Sequence, residues 1–101
     1  MGVKVDVMDD FYKLLHPCLA VFVVSASADG RSNVMTCAWN MPVSADPPMV
    51  AIALSEESYT GELIRESGEF TVNIPSERLL KALWVCGTRS GRRVDKFRLA
   101  G

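Results

Sequence analysis

The apolar stretch at residues 18–27 constrains this chain more than any other feature. It is rich in Val and Ala, and it is far too short to cross a bilayer, which takes about 20 consecutive apolar residues. A run of this length and composition suits a β-strand buried on both faces. Ala28-Asp29-Gly30-Arg31 follows it, a turn signal in which Gly30 takes the positive φ that a tight hairpin needs. Residues 33–39 then read as the returning strand. Their composition, with Met35, Ala38 and Met41 nearby, also suits a helix; the preceding turn decides for a strand.

The rest of the chain reads as short elements. Asp9-Asp10 before Phe11, Leu14 and Leu15 predicts a short helix with acids in its first turn, stopped at Pro17. Pro42, Pro47 and Pro48 predict an extended connection without ladder donors. Residues 49–55 predict a third, buried strand. Thr60 is expected to cap a helix through Arg65 or Glu66, with Leu63 and Ile64 inward and Ser67-Gly68 as its end. Residues 69–74 alternate, with Phe70, Val72 and Ile74 on one side, and predict a fourth strand. Ser76 is expected to cap another helix, with Leu79, Leu80, Leu83 and Trp84 as its apolar stripe. A loop over 86–91 and a last turn over 94–99 follow. No two strands enclose a βαβ unit with a glycine fingerprint, which argues against a dinucleotide-type sheet and for a small antiparallel sheet curling into a barrel.

The chain has 101 residues, enough for one domain. At this size only about 60–65% of the unfolded surface is buried, so a core standing alone is marginal. Acids and bases are mixed and the formal charge is −1, which disfavours nucleic acid as a partner. The N-terminus carries Lys4, Asp6, Asp9 and Asp10 rather than the basic-then-apolar order of a signal peptide. A cytoplasmic protein outside the membrane is the expectation. Cys18, Cys37 and Cys86 are odd in number and fit no zinc spacing, so no structural disulfide and no metal site is expected.

Side-chain catalysis has little to work with. His16 is the one histidine, so Ser–His–Asp, Cys–His and histidine-metal arrangements lack partners. Carboxylate pairs such as Glu56-Glu57 flank turns and read as solvated. A cofactor that supplies its own reactive atoms removes the need for an acid or base. Two segments suit one. In Asn33 to Trp39, the small residues Thr36, Cys37 and Ala38 admit a flat ring close to the backbone. Asn33 offers a donor and an acceptor, and Trp39 packs beside a ring. The competing reading is a plain buried strand ending in a core Trp. The second segment, Ser55 to Thr60, leads into a helix N-terminus that suits a phosphate, with hydroxyls at Ser58 and Thr60; the competing reading is a simple capped helix. Cys37 is either a redox thiol or a small packing residue. With no basic neighbour to lower its pKa, packing is the better reading.

Taken together, the segments resemble a known family. Asp29-Gly30-Arg31-Ser32-Asn33-Val34-Met35-Thr36-Cys37-Ala38-Trp39 resembles the DGRxNxMTxAW stretch of flavin reductase-like proteins, the flavoredoxin and ferric-reductase group. Met41-Pro42-Val43-Ser44-Ala45-Asp46-Pro47-Pro48 resembles their MPVSxDPP connection. The likeness continues through Ser58-Tyr59-Thr60-Gly61-Glu62-Leu63-Ile64 and Gly68-Glu69-Phe70-Thr71-Val72-Asn73-Ile74-Pro75. It ends with Cys86-Gly87, Ser90-Gly91-Arg92 and Asp95-Lys96-Phe97. Each block is weak alone; their order and spacing make the set specific.

The resemblance implies a mainly β protein with short helices, an FMN-binding split β-barrel that works as a homodimer. It implies FMN with its ring along Asn33, Thr36, Cys37, Ala38, Trp39, Val43 and Ser44, and its phosphate near Ser55, Ser58, Tyr59 and Thr60. The Ser90-Gly91-Arg92 loop is expected near the flavin or the dimer contact. The implied chemistry passes hydride from NAD(P)H to the flavin and on to free flavin, a ferric complex or a partner oxygenase, with no side chain as acid or base. The alternative is a non-catalytic FMN-binding electron carrier or a truncated flavin-binding remnant. Family members run well past the Asp-Lys-Phe block. Residues 1–101 are therefore expected to be the N-terminal portion of a single domain, lacking the C-terminal barrel strands.

Overall fold

The computed structural model describes residues 2, 4, 6, 8, 9 and 11–100. Its centre is the expected hairpin. Strands β1 (Val21–Ala26) and β2 (Ser32–Cys37) pair antiparallel from Val21↔Cys37 to Ala26↔Ser32. Gly30 closes the turn at φ 93°, a backbone conformation that costs a residue without Cβ nothing. A short strand β5 (Thr71–Asn73) pairs on the other side of β1, so the sheet order is β2-β1-β5, and among the described residues no strand pairs with the outer edge of β2.

Alternation along these strands builds two apolar layers. Val21, Val23 and Cys37 form one, with Met35, Ile52 and Phe70 against them; Phe22, Val34 and Cys86 form the other, with Val24, Ala82 and Leu83. Helix α1 (Tyr59–Ser67) packs on β1 and β2 and buries Leu63 completely. Helix α2 (Leu80–Thr88) packs on β2, and α3 (Lys96–Ala100) returns against α2.

Several expectations are corrected. The proline-rich connection is itself strand β3 (Asn40–Ala45), paired with β4 (Pro48–Ile52) in a separate two-stranded ribbon. A bulge falls between Pro42 and Ser44. Prolines are tolerated because both strands of a ribbon have outward positions that need no donor. The ribbon is not buried: Val50 is 55% exposed and Met49 similar. Helix α1 is capped by Ser58, whose Oγ accepts from Gly61 N at 3.0 Å, and not by Thr60; Gly68 ends it in the left-handed region at φ 76°. Ser76 makes no cap bond and precedes a short 3₁₀ turn, Glu77–Leu79. The inward face of α2 is Ala82, Leu83 and Cys86. Leu80 and Trp84 face outward, each more than 70% exposed. At the N-terminus a 3₁₀ helix spans Phe11–Leu15, and Asp10 lies outside the described residues. Among the described residues no helix is long and apolar enough to cross a membrane, and no cluster of His, Cys, Asp and Glu suits a metal.

Candidate functional site

One cleft lies against β2 and a second lies just past its end. The first, of about 230 Å³, wraps the outer edge of the strand: Asn33 and Met35 line it from one face and Thr36 from the other. Its far wall is the first turn of α1 (Ser58, Tyr59, Thr60), where backbone N–H groups lack intrahelical acceptors. The remaining wall is the segment from Cys86 to Arg92, with Lys96 beneath. Three cations therefore meet here, Arg89, Arg92 and Lys96, against Glu57.

Most of the polar side chains in this cleft are tied inward. Asn33, 3% exposed, donates from Nδ2 to Thr60 Oγ1 at 3.0 Å, and Thr60 is 2% exposed. The Thr36 hydroxyl donates to the Leu83 carbonyl and so ties β2 to α2. Gly91 fits so closely that a Cβ there would lie 2.2 Å from Asn33 Oδ1 and 2.7 Å from Tyr59 Cδ2. Lys96, 5% exposed, donates from Nζ to the Cys86 carbonyl at 3.0 Å, in the last turn of α2, where a cation complements the helix dipole. Burial lowers the Lys96 pKa. Burial likewise pushes up the Cys37 and Cys86 thiols, so both are poor nucleophiles.

The second cleft, of about 350 Å³, is apolar. Ala38, Ala51 and Ala53 give it small side chains, while Phe11, Tyr12 and Trp39 supply aromatic walls. The Tyr12 and Trp39 rings lie 6.0 Å apart, tilted by 49°. One strand and its continuation thus run from a cationic, polar cleft at Asn33–Thr36 to an apolar, aromatic one at Ala38–Trp39.

Residues 16–101 match the flavin reductase like domain. This chain belongs to the flavin reductase-like family. An uncharacterized protein of Archaeoglobus fulgidus is 39% identical over 83 residues, which are 82% of this chain and 46% of the relative. Among solved structures, the flavoredoxin of Desulfovibrio vulgaris is 33% identical with a TM-score of 0.78, covering 83% of this chain and 46% of that one. A flavoredoxin from Methanosarcina acetivorans is 32% identical with a TM-score of 0.77, covering 97% and 51%. The flavin reductase-like chain thus spans about half the length of the relatives it matches, and its fold is that of the corresponding part of an FMN-binding split barrel.

The structure brings together Asn33, Thr36, Ser58, Tyr59 and Thr60 in the polar cleft, and Ala38 and Trp39 in the apolar one. Cys37 is buried in the core with Val21 and Val23. Val43 and Ser44 lie on β3 and Ser55 precedes the α1 cap; none of the three lines either cleft. Arg89 and Lys96 are the residues a reading of the sequence misses. The Ser-Gly-Arg motif signals the neighbouring loop, but only the packing of α3 on α2 brings Lys96 under it. The donor set fits a phosphate: two guanidinium groups, an ammonium, the Ser58 and Ser90 hydroxyls and a helix N-terminus.

Proposed function

We propose that the flavin reductase-like chain holds FMN along β2, as part of an oxidoreductase that takes hydride from NAD(P)H and passes electrons to a small acceptor or a partner oxygenase. One observation carries this reading. A cationic polar cleft lies against β2 at Asn33–Thr36, and an apolar aromatic cleft opens just past its end at Ala38–Trp39. Four residue steps from Asn33 to Cys37 at about 3.3 Å each give roughly 13 Å, and the bend at Trp39 carries the chain on into the apolar cleft, an arrangement suited to a ligand with a phosphate at one end and a flat ring at the other.

In this reading Arg89, Arg92, Lys96 and the start of α1 hold the phosphate, and Ala38, Trp39 and Tyr12 pack against the ring. Asn33 and Thr36 act by fixing β2 to α1 and α2, because their polar atoms are already bonded inside the protein. The flavin supplies the hydride and electron chemistry when bound. The chain's own part is alignment and exclusion of water from the apolar cleft. Alignment of two reactants contributes up to roughly 7–11 kcal/mol of barrier lowering. Homodimerisation is part of the proposal, in keeping with the many apolar side chains exposed on the ribbon and α2.

The likeness to two flavoredoxins favours a second reading, an FMN-binding electron-transfer protein without turnover of its own. Anaerobic mixing of the chain with FMN and NADH separates the two. Bleaching of the flavin band over seconds is expected for the reductase, whereas a persistent band together with bound FMN supports the carrier. Failure of FMN to bind at all removes both.

A further inference from the structure

An ion-pair network stands behind the polar cleft. Glu62, in the first turn of α1, accepts from Arg92 Nη1 and lies 3.8 Å from Arg31 Nη1. Arg31 is also bound to Asp29 at 3.0 Å and to Glu66. Arg92 further donates to the Glu57 carbonyl at 3.3 Å, and its guanidinium carbon lies 5.1 Å from the Tyr59 ring centroid. Of these five ion-paired side chains, Arg92 alone lines the cleft.

We propose that Glu62 is a built-in competitor for the anionic group of the ligand. Its carboxylate neutralises Arg92 from behind the cleft wall and so limits how tightly the cleft holds a phosphate. The inference rests on the reading of this cleft as a phosphate site and adds what sets its affinity. The opposite role, in which Glu62 holds Arg92 in place for the ligand, is disfavoured on two grounds. First, the network sets three carboxylates against two guanidinium groups, so the charge of Arg92 is offset from behind while Arg89 and Lys96 keep the cleft lining cationic. Second, the Tyr59 ring and the Glu57 carbonyl already orient Arg92 without charge. A guanidinium has five N–H donors, so these holds leave donors for a phosphate once Glu62 lets go. A cleft tuned in this way favours a phosphorylated ligand that exchanges with solution over one held permanently.

The test titrates FMN, with inorganic phosphate as competitor, against the wild-type chain, Glu62→Gln, Glu62→Ala and Arg92→Met. Flavin fluorescence reports binding and thermal denaturation reports stability. Each Glu62 variant is expected to bind FMN roughly two- to fivefold tighter, the size of one exposed ion pair, and the gain is expected to shrink in high salt. Both variants also lose a helix-start carboxylate, so stability falls slightly while affinity rises, opposite signs that a merely structural role does not give. Arg92→Met weakens binding and cancels the gain when combined with Glu62→Gln. Unchanged or weaker binding in both Glu62 variants overturns the competitor role. Should phosphate fail to displace FMN from the wild-type chain, the phosphate site itself falls and the competitor with it.

Discussion

Gly91→Ala is the substitution that probes the cleft most sharply. The added methyl carbon would stand 2.2 Å from Asn33 Oδ1, 2.6 Å from Asn33 Cγ and 2.7 Å from Tyr59 Cδ2. Asn33 cannot swing aside freely, because its amide satisfies the buried Thr60 hydroxyl. Either the 90–92 segment backs away from β2 or the Asn33–Thr60 bond breaks. Overpacking of this kind costs about 1–3 kcal/mol, and leaving a buried polar group unpaired costs a similar amount. For a domain of this size the loss reads as a fall in Tm on the order of 5–20 °C. Thermal denaturation measures it, and FMN titration follows the displaced loop as weaker binding. Asn33→Ala removes the two closest clashing atoms and leaves the Tyr59 contact, so Asn33→Ala combined with Gly91→Ala should lose at least about 1 kcal/mol less than the sum of the single changes. Gly68→Ala is the control, since it meets nothing within 4 Å and carries only the cost of its positive φ. A Gly91→Ala chain with the wild-type Tm, or strictly additive losses in the double variant, would refute the close approach of this loop to Asn33.

Three further predictions follow from single side chains. Thr36→Val breaks the bond to the Leu83 carbonyl; unfolding in urea should show a loss of about 1 kcal/mol, with FMN affinity changed less than stability. Asp29 is held down to about 2, from an ordinary 3.8, by the Ser27 hydroxyl and then by Arg31. Because the folded carboxylate is the more acidic, its contribution is complete above about pH 4 and is lost as pH falls towards 2; the stability gap between wild type and Asp29→Asn should close over that window, and a gap constant with pH would count against it. Ser25 Oγ is buried without a hydrogen-bond partner among the described residues. Ser25→Ala should therefore be neutral or slightly stabilising by calorimetry, and a loss above about 1 kcal/mol would reveal a bond not seen here.

The elements legible in the sequence are those set by local chemistry. The Asp29-Gly30 turn fixes the β1–β2 hairpin, and Gly68 fixes the end of α1, because each acts through its own backbone. Strand β4 is foreseen within residues 49–55, but its partner β3 is illegible for the converse reason. A proline forbids an inner strand, but whether a strand is inner depends on what lies beside it. On α2 the Leu80/Trp84 stripe looks like the buried face, yet the sheet takes Ala82, Leu83 and Cys86, of which Ala82 and Cys86 are small, and the helix approaches β2 at Gly87, where a Cβ would lie 3.3 Å from Thr36. The candidate site divides in the same way. Asn33, Thr36 and the Ser58–Thr60 turn carry local signals. Arg89 and Lys96 reach the cleft only through long-range packing, and nothing near Lys96 in sequence announces that its amine is buried.

The relative affinity of this chain for FMN and riboflavin tests the central claim most directly. The two ligands share the ring and differ in the phosphate. Charge-assisted hydrogen bonds from Arg89, Arg92 and Lys96 should make FMN at least about tenfold tighter by fluorescence quenching, with the advantage eroded by salt. Equal affinities, or fluorescence untouched by the protein, would contradict a ligand that spans the cationic cleft on β2 and the aromatic cleft past its end.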